Sequence, residues 1–178
     1  MEEIIIKDKR FVKYISYQEI DTAIEVLAEK INKDYKGRIP IFLVVLNGAI
    51  MFASDLMKKL NIDCELSAIK VSSYVGTSST QNVKQLIGIK DSVEGRDIII
   101  VEDIVDTGIT IDAIIKELEA RNVASIKIAT MTYKKEAYTK KYPIDYVAIE
   151  IPNKFIVGYG LDYDELGRNY KDIYQIIE

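Results

Sequence analysis

Ile98-Ile99-Ile100-Val101-Glu102-Asp103-Ile104-Val105-Asp106-Thr107-Gly108-Ile109-Thr110 is the stretch whose reading decides the fold. Four apolar β-formers run into two adjacent carboxylates. A third carboxylate follows three residues later, then Thr-Gly-x-Thr, then an amphipathic helix pattern. A continuous apolar run of this kind reads as a strand buried on both faces. Its carboxyl end, leading into a helix N-terminus, is where open α/β sheets bind ligands. The Thr/Gly turn can present N–H groups and hydroxyls to a phosphate. The acids can serve as hard ligands for Mg²⁺ or as acceptors for sugar hydroxyls. Three acids at one strand end repel one another unless a cation or phosphate ligand shares the site. Together these features point to a phosphorylated sugar with a metal-bound leaving group. The metal-binding strand of a P-loop NTPase can also end in Glu-Asp, but no Gly-x-x-x-x-Gly-Lys-Ser/Thr occurs in the chain.

Outward from that strand, helix and strand patterns alternate. Tyr17 to Tyr35 carries apolar residues at Ile20, Ala23, Ile24, Leu27, Ala28 and Ile31, the spacing of an amphipathic helix. Ile39 to Leu46 reads as a buried strand, Asn47-Gly48 as a turn and Ala49 to Leu60 as a second helix. Ile62 to Val71 is expected to be a strand. Ser72 to Asn82, rich in Gly, Ser and Thr, is expected to be a mobile loop. Val83 to Ile89 is a short strand, and Asp97 to Glu102 is the strand quoted above. Thr110 to Ala120 follows as a helix and Ala124 to Thr132 as a strand. Tyr146 to Ile149, Phe155 to Val157 and Ile173 to Ile177 read as short strands. The alternation predicts a mainly parallel, twisted central sheet with helices on both faces. The 178 residues suit one domain, 1–178, with a full core.

Composition excludes several functions. Hydrophobic content of 48% and charged content of 29% are those of an ordinary soluble globular protein. A net charge of −4 gives no footprint for nucleic acid or an anionic membrane. Met1-Glu2-Glu3 is acidic where a secretory signal would be basic. The longest apolar stretch, Ile41 to Ala53, is interrupted by Asn47-Gly48 and too short to span a bilayer. Cys64 is the single cysteine, so a reducing cytoplasm is the expected location. Histidine is absent, which removes Ser-His-Asp and Cys-His catalysis and every His-ligated metal site. Acid–base work falls to Asp, Glu, Lys, Tyr or Cys64.

In order and spacing, the stretch from Ile98 to Thr110 resembles the phosphoribosyl-diphosphate (PRPP) signature of type I phosphoribosyltransferases. Other segments resemble the hypoxanthine-guanine branch of that family. Val44-Val45-Leu46-Asn47-Gly48 matches its pyrophosphate loop, with Asn47 where a basic residue is common. In that family the peptide before this position can be cis. Lys70-Val71-Ser72-Ser73-Tyr74 resembles the start of a flexible catalytic loop that begins Ser-Tyr, here Ser73 and Tyr74. Lys70 stands where Arg is frequent. Lys134 matches a lysine that donates to the exocyclic oxygen of a 6-oxopurine. Lys135 beside it leaves a register one residue later open. Glu150-Ile151-Pro152-Asn153-Lys154-Phe155-Ile156-Val157-Gly158-Tyr159-Gly160-Leu161-Asp162-Tyr163 closely resembles the purine-side segment. The matches extend from Val44 to Arg168.

The resemblance implies the type I phosphoribosyltransferase fold, with a small hood formed by terminal segments. It implies transfer of the 5-phosphoribosyl group from PRPP to hypoxanthine, and to guanine, with release of pyrophosphate. Asp106 would be the general base at the purine ring nitrogen. Glu102, Asp103, Thr107, Gly108, Ile109, Thr110, Asn47, Gly48, Lys70 and Arg168 would bind PRPP. Phe155 would stack on the base, Ile156 would offer it backbone groups, and Lys134 and Asp162 would complete the purine site. Glu102 and Asp103 would lie in the shell of Mg²⁺, and Asp162 near a second metal and the base. The partners implied are small-molecule substrates, with no nucleic acid and no membrane, in a homodimer or homotetramer. Two rivals remain open: a non-catalytic PRPP-sensing regulator of the same fold, and a transferase for another base such as xanthine.

Overall fold

The computed structural model describes residues 2–73, 83–89 and 92–177. Two sheets are present among these residues. The larger has six strands in the order β5-β4-β3-β6-β7-β8: Val83–Ile87, Glu65–Ser73, Ile41–Leu46, Asp97–Val105, Ser125–Tyr133 and Tyr146–Glu150. All neighbours in it run parallel except β5, which pairs antiparallel with β4 at the edge. From β3 the chain passes through helix α2 (Ile50–Lys59) to β4 on one side. From β6 it passes through α3 (Ile109–Glu119) to β7 on the other. The reversal between β3 and β6 makes this the switch point where ligands bind in open α/β sheets.

Side-chain alternation sorts the core into two layers. Phe42, Val44, Ile99, Val101, Ala129 and Met131 pack with α2 and with α1 (Tyr17–Asp34). Ile41, Leu43, Val45, Ile98, Ile100 and Ile128 pack with Ile111, Ile114, Ile115 and Leu118 of α3. A strand buried on both faces needs such an uninterrupted apolar run. Helix α1 starts at a capping box: the Ser16 hydroxyl accepts from Glu19 N–H at 3.3 Å, and Ser16 N–H donates to Glu19 Oε2 at 2.9 Å. Such a cap contributes about 1 kcal/mol. Ile20, Ile24, Leu27, Ala28 and Ile31 then form its buried stripe.

The smaller sheet is the hood. Its order is β1-β2-β10-β9, with β1 at Glu3–Ile6, β2 at Lys9–Ile15, β10 at Ile173–Ile176 and β9 at Ile156–Val157. Both chain termini therefore meet in it, over a small core of Ile6, Phe11, Val157 and Tyr174. Asp172, buried, ties the hood to the larger sheet's layers. It accepts from Tyr17 N–H at the start of α1 (2.7 Å) and pairs with Lys13 (2.9 Å).

The sequence-based elements lie within a few residues of those observed, with two differences. The apolar pattern did not place the β1–β2 hairpin, because Lys7-Asp8-Lys9-Arg10 breaks the alternation and β2 gains its second partner from the far end of the chain. Strand β6 also runs three residues beyond Glu102, to Val105. The expected loop over 72–82 overlaps the end of β4 at Ser72 and Ser73. Its remaining residues, Tyr74 included, lie outside the described residues.

Candidate active site

The length of β6 explains where its acids sit. Pairing with β3 runs from Ile98 to Val101 and stops, while pairing with β7 continues to Val105. Glu102 and Asp103 therefore lie on a strand that has just lost one neighbour, at the mouth of the β3–β6 switch. Glu102 is only 6% exposed. Burial, reinforced by the adjacent Asp103 carboxylate, pushes its carboxyl well above the usual range. Burial also raises Asp103, against hydrogen bonds from Glu102 and from Ile104 N–H at 2.9 Å. Two acids held this way favour a shared cation, and their hard oxygens fit a divalent one.

Across the mouth is the turn Asn47-Gly48, reached through a cis Leu46–Asn47 peptide. Asn47 is exposed and Gly48 buried. A Cβ on Gly48 would overlap the Asp103 carboxylate, so glycine lets this turn lie against that side chain without displacing it. Lys70 on β4 is the register partner of Leu46, which brings it alongside the same turn. Helix α2 begins just after, with no side-chain cap on its first N–H groups.

At the exit of β6, Asp106 is 42% exposed and pairs at 2.8 Å with the ammonium of Lys134, which is 8% exposed. The N–H of Lys134 donates to Val105 O at 2.9 Å, which anchors the lysine beside the strand end. Lys135 beside it is exposed. Gly108 follows as the N-cap of α3 with φ 82°, a left-handed conformation that suits glycine. A Cβ there would run into the ring of Tyr138 and the stem of Lys140. No side chain caps α3, so the turn Asp106–Thr110 leaves helix N–H groups for an anion. Lys140 had no sequence signal. It lies in the 134–145 connection between β7 and β8 and comes next to this turn only through folding.

The hood supplies the third side. Phe155 keeps 44% of its surface exposed while its ring packs near Phe11 (6.3 Å between ring centroids) and Tyr163 (6.0 Å). Ile156 is buried in β9, facing Gln175 in register. Arg168 donates to Gly160 O at 2.9 Å and pairs with Asp162 at 2.9 Å. Asp162 is thus engaged by Arg168. Among the described residues no three acids, histidines or cysteines converge to hold a metal. Asp162 has Arg168 as its counter-ion.

A buried acid pair, a glycine turn and an uncapped helix start meet at one switch point, an arrangement that can take a phosphorylated, metal-bound ligand. The sequence model of the phosphoribosyl transferase domain matches residues 16–164, which contain all three. The chain belongs to the phosphoribosyltransferase family. It is 41% identical over 155 residues to a hypoxanthine-guanine phosphoribosyltransferase of Streptococcus thermophilus, with 86% of each chain covered. It is 46% identical over 144 residues to one of Streptococcus pyogenes, with 80% of each covered. A crystal structure of a hypoxanthine-guanine phosphoribosyltransferase from Bacillus anthracis superposes with a TM-score of 0.88 at 31% identity, covering 93% of this chain and 98% of that one. A Trypanosoma cruzi hypoxanthine phosphoribosyltransferase gives a TM-score of 0.88 at 34% identity, covering 98% and 95%. This phosphoribosyltransferase is thus an enzyme with the α/β fold of its family, a mainly parallel sheet between helices. No helix among its described residues is long and apolar enough to cross a membrane.

Proposed function

We propose that this enzyme transfers the 5-phosphoribosyl group of PRPP to hypoxanthine, and to guanine, releasing pyrophosphate and forming the nucleoside 5′-monophosphate. The observation that carries the reading is the Asp106–Lys134 pair beside the uncapped start of α3. It offers a base and a donor-only cation next to a phosphate cradle. Asp106 takes a proton from a purine ring nitrogen as the base attacks the anomeric carbon. Lys134 turns its ammonium to the exocyclic oxygen of the base, and an ammonium cannot accept from an exocyclic amine. Phe155, part of whose surface is exposed, would stack on the base.

Thr107, Gly108, Ile109 and Thr110 hold the 5′-phosphate with N–H groups and hydroxyls. Remote binding of that phosphate can lower the barrier at the anomeric carbon. Asn47 and Gly48 meet the diphosphate through their backbone, with Lys70 and Arg168 as the nearby cations. Glu102 and Asp103 accept from the ribose hydroxyls and face the Mg²⁺ carried by the diphosphate. Such an ion neutralises the departing pyrophosphate. Asp162, held by Arg168, would lie near a second metal and the base.

A reducing cytoplasm suits a chain whose one thiol, Cys64, is free, and self-association as a dimer or tetramer is part of the same reading. The test is a steady-state comparison of hypoxanthine, guanine, xanthine, adenine and uracil with PRPP and Mg²⁺. Formation of inosine monophosphate with kcat/KM well above that for adenine is expected. Turnover of none of them, or of xanthine alone, would overturn the assignment.

A further inference from the structure

The turn Gly158-Tyr159-Gly160 holds three successive residues at positive φ: 93°, 51° and 97°. Left-handed backbone is unfavourable for a residue with a Cβ, so something must hold Tyr159 there. Its N–H donates to Tyr170 O at 2.7 Å, and its phenol donates to Asp55 Oδ2 at 2.6 Å. Tyr159 is 4% exposed. Asp55 lies on α2, the helix that starts directly after Asn47-Gly48. The same carboxylate takes Lys58 at 2.6 Å and the Tyr17 hydroxyl at 3.4 Å. One residue beyond Tyr159, a Cβ on Gly160 would overlap the carbonyl oxygen of Gly48. A single hood turn therefore meets the loop at its peptide and grips the helix behind it by a hydroxyl. Gly48 in turn lies against Asp103.

We propose that Tyr159 and Asp55 are positioning residues that hold the Gly158–Gly160 turn against the Asn47-Gly48 loop, and thereby set that loop's grip on the diphosphate of PRPP. This rests on the diphosphate role given to the loop above. Both residues act through the loop and touch no substrate. Their loss is felt on the diphosphate side of the site and leaves the purine side in place. A phenol that only satisfied a buried acid would affect stability and leave this split unmoved.

The experiment compares Tyr159→Phe with Tyr174→Phe in the full-length enzyme. Tyr174 offers a matched control: its hydroxyl donates to Glu2 at 2.9 Å on the far side of the hood. Calorimetry with Mg-pyrophosphate and steady-state kinetics are the readouts. Tyr159→Phe is expected to raise the Kd for pyrophosphate and the KM for PRPP about tenfold, the scale of one lost hydrogen bond to a carboxylate. The KM for hypoxanthine is expected to hold, and Tyr174→Phe to leave all three values unchanged. Asp55→Asn keeps an oxygen for the phenol and is expected to retain most of the affinity, whereas Asp55→Leu should reproduce Tyr159→Phe. Unchanged pyrophosphate affinity in Tyr159→Phe, or an equal loss in Tyr174→Phe, overturns the inference alone. An unaltered enzyme that binds neither pyrophosphate nor PRPP overturns the functional reading and this inference with it.

Discussion

Two groups of buried acids in this molecule are treated in opposite ways. On β6, Glu102 and Asp103 stand side by side and are both pushed upward, with burial as the largest cause. In the layers joining the hood to the helices, Asp172 and Asp55 are also largely buried, yet both are held below the ordinary range. For each of these two, burial pulls upward but is outweighed. Asp172 has the Lys13 ammonium and Tyr17 N–H, and Asp55 has Lys58 and two phenols. The second group is complete within the protein. The first is incomplete, and an incomplete buried pair in a cleft is where a charged ligand is to be sought.

The comparison breaks most visibly at the third acid of the β6 run. Asp106→Asn removes the base while keeping shape, and turnover with hypoxanthine is expected to fall by on the order of 10²–10⁴. PRPP affinity should persist. Near-normal kcat would remove Asp106 from the chemistry.

Gly48→Ala tests whether the incomplete pair needs its glycine wall. The added methyl collides with the Asp103 carboxylate, and a displaced acid should lower kcat/KM by roughly 10². A crystal structure of the variant with Asp103 unmoved and full activity would contradict the packing argument.

Lys134→Ala separates recognition from stacking. It is expected to reduce kcat/KM for hypoxanthine and guanine by roughly 10–100-fold, on the scale of one charged hydrogen bond, and to narrow the gap to adenine. Phe155→Ala should weaken all bases alike. If Lys135→Ala, and not Lys134→Ala, carries the loss, the register is one residue later.

Glu102→Gln sharpens the contrast through stability. A carboxyl raised in the folded state holds its proton there at pH values where the unfolded chain has lost it. Stability therefore falls as pH rises from about 4.3, the ordinary glutamate value, through the raised folded value. The amide escapes that cost. Its melting midpoint at pH 7 in the absence of ligand should be a few degrees higher, the scale of about 1 kcal/mol in a domain of this size. The advantage should vanish below about pH 4, while calorimetry shows weakened Mg-PRPP binding. A lower midpoint at pH 7 would mean that the acid is satisfied after all.

Asp172→Asn should behave oppositely and most mildly in activity. A depressed folded value means that stability is present above about pH 3.9 and is lost as pH falls through the folded value. The variant should melt a few degrees lower at pH 7 and match the parent in strong acid. Equal midpoints at pH 7 would show that Lys13 and Tyr17 N–H do not hold the hood through this carboxylate.

By itself the sequence determined the elements of the larger sheet, because each rests on local physics. The apolar runs of β3 and β6 read as strands buried on both faces, and the 3.6-residue stripe of α1 as a face turned to a core. Glu102, Asp103, Asp106 and the Thr107–Thr110 turn are contiguous, so their association was legible in one line of residues. Tertiary structure alone decided what lies opposite them. The β1–β2 hairpin pairs with β10 from the other end of the chain. Lys134 reaches Asp106 across 28 positions, and Tyr159 reaches Asp55 across 104. Lys140 arrives beside Gly108 from a neighbouring connection. Such contacts follow from how β6 outruns β3 and how the hood folds back over the switch point. No local periodicity encodes them, because their energy is gained only when distant segments are already held together by the core.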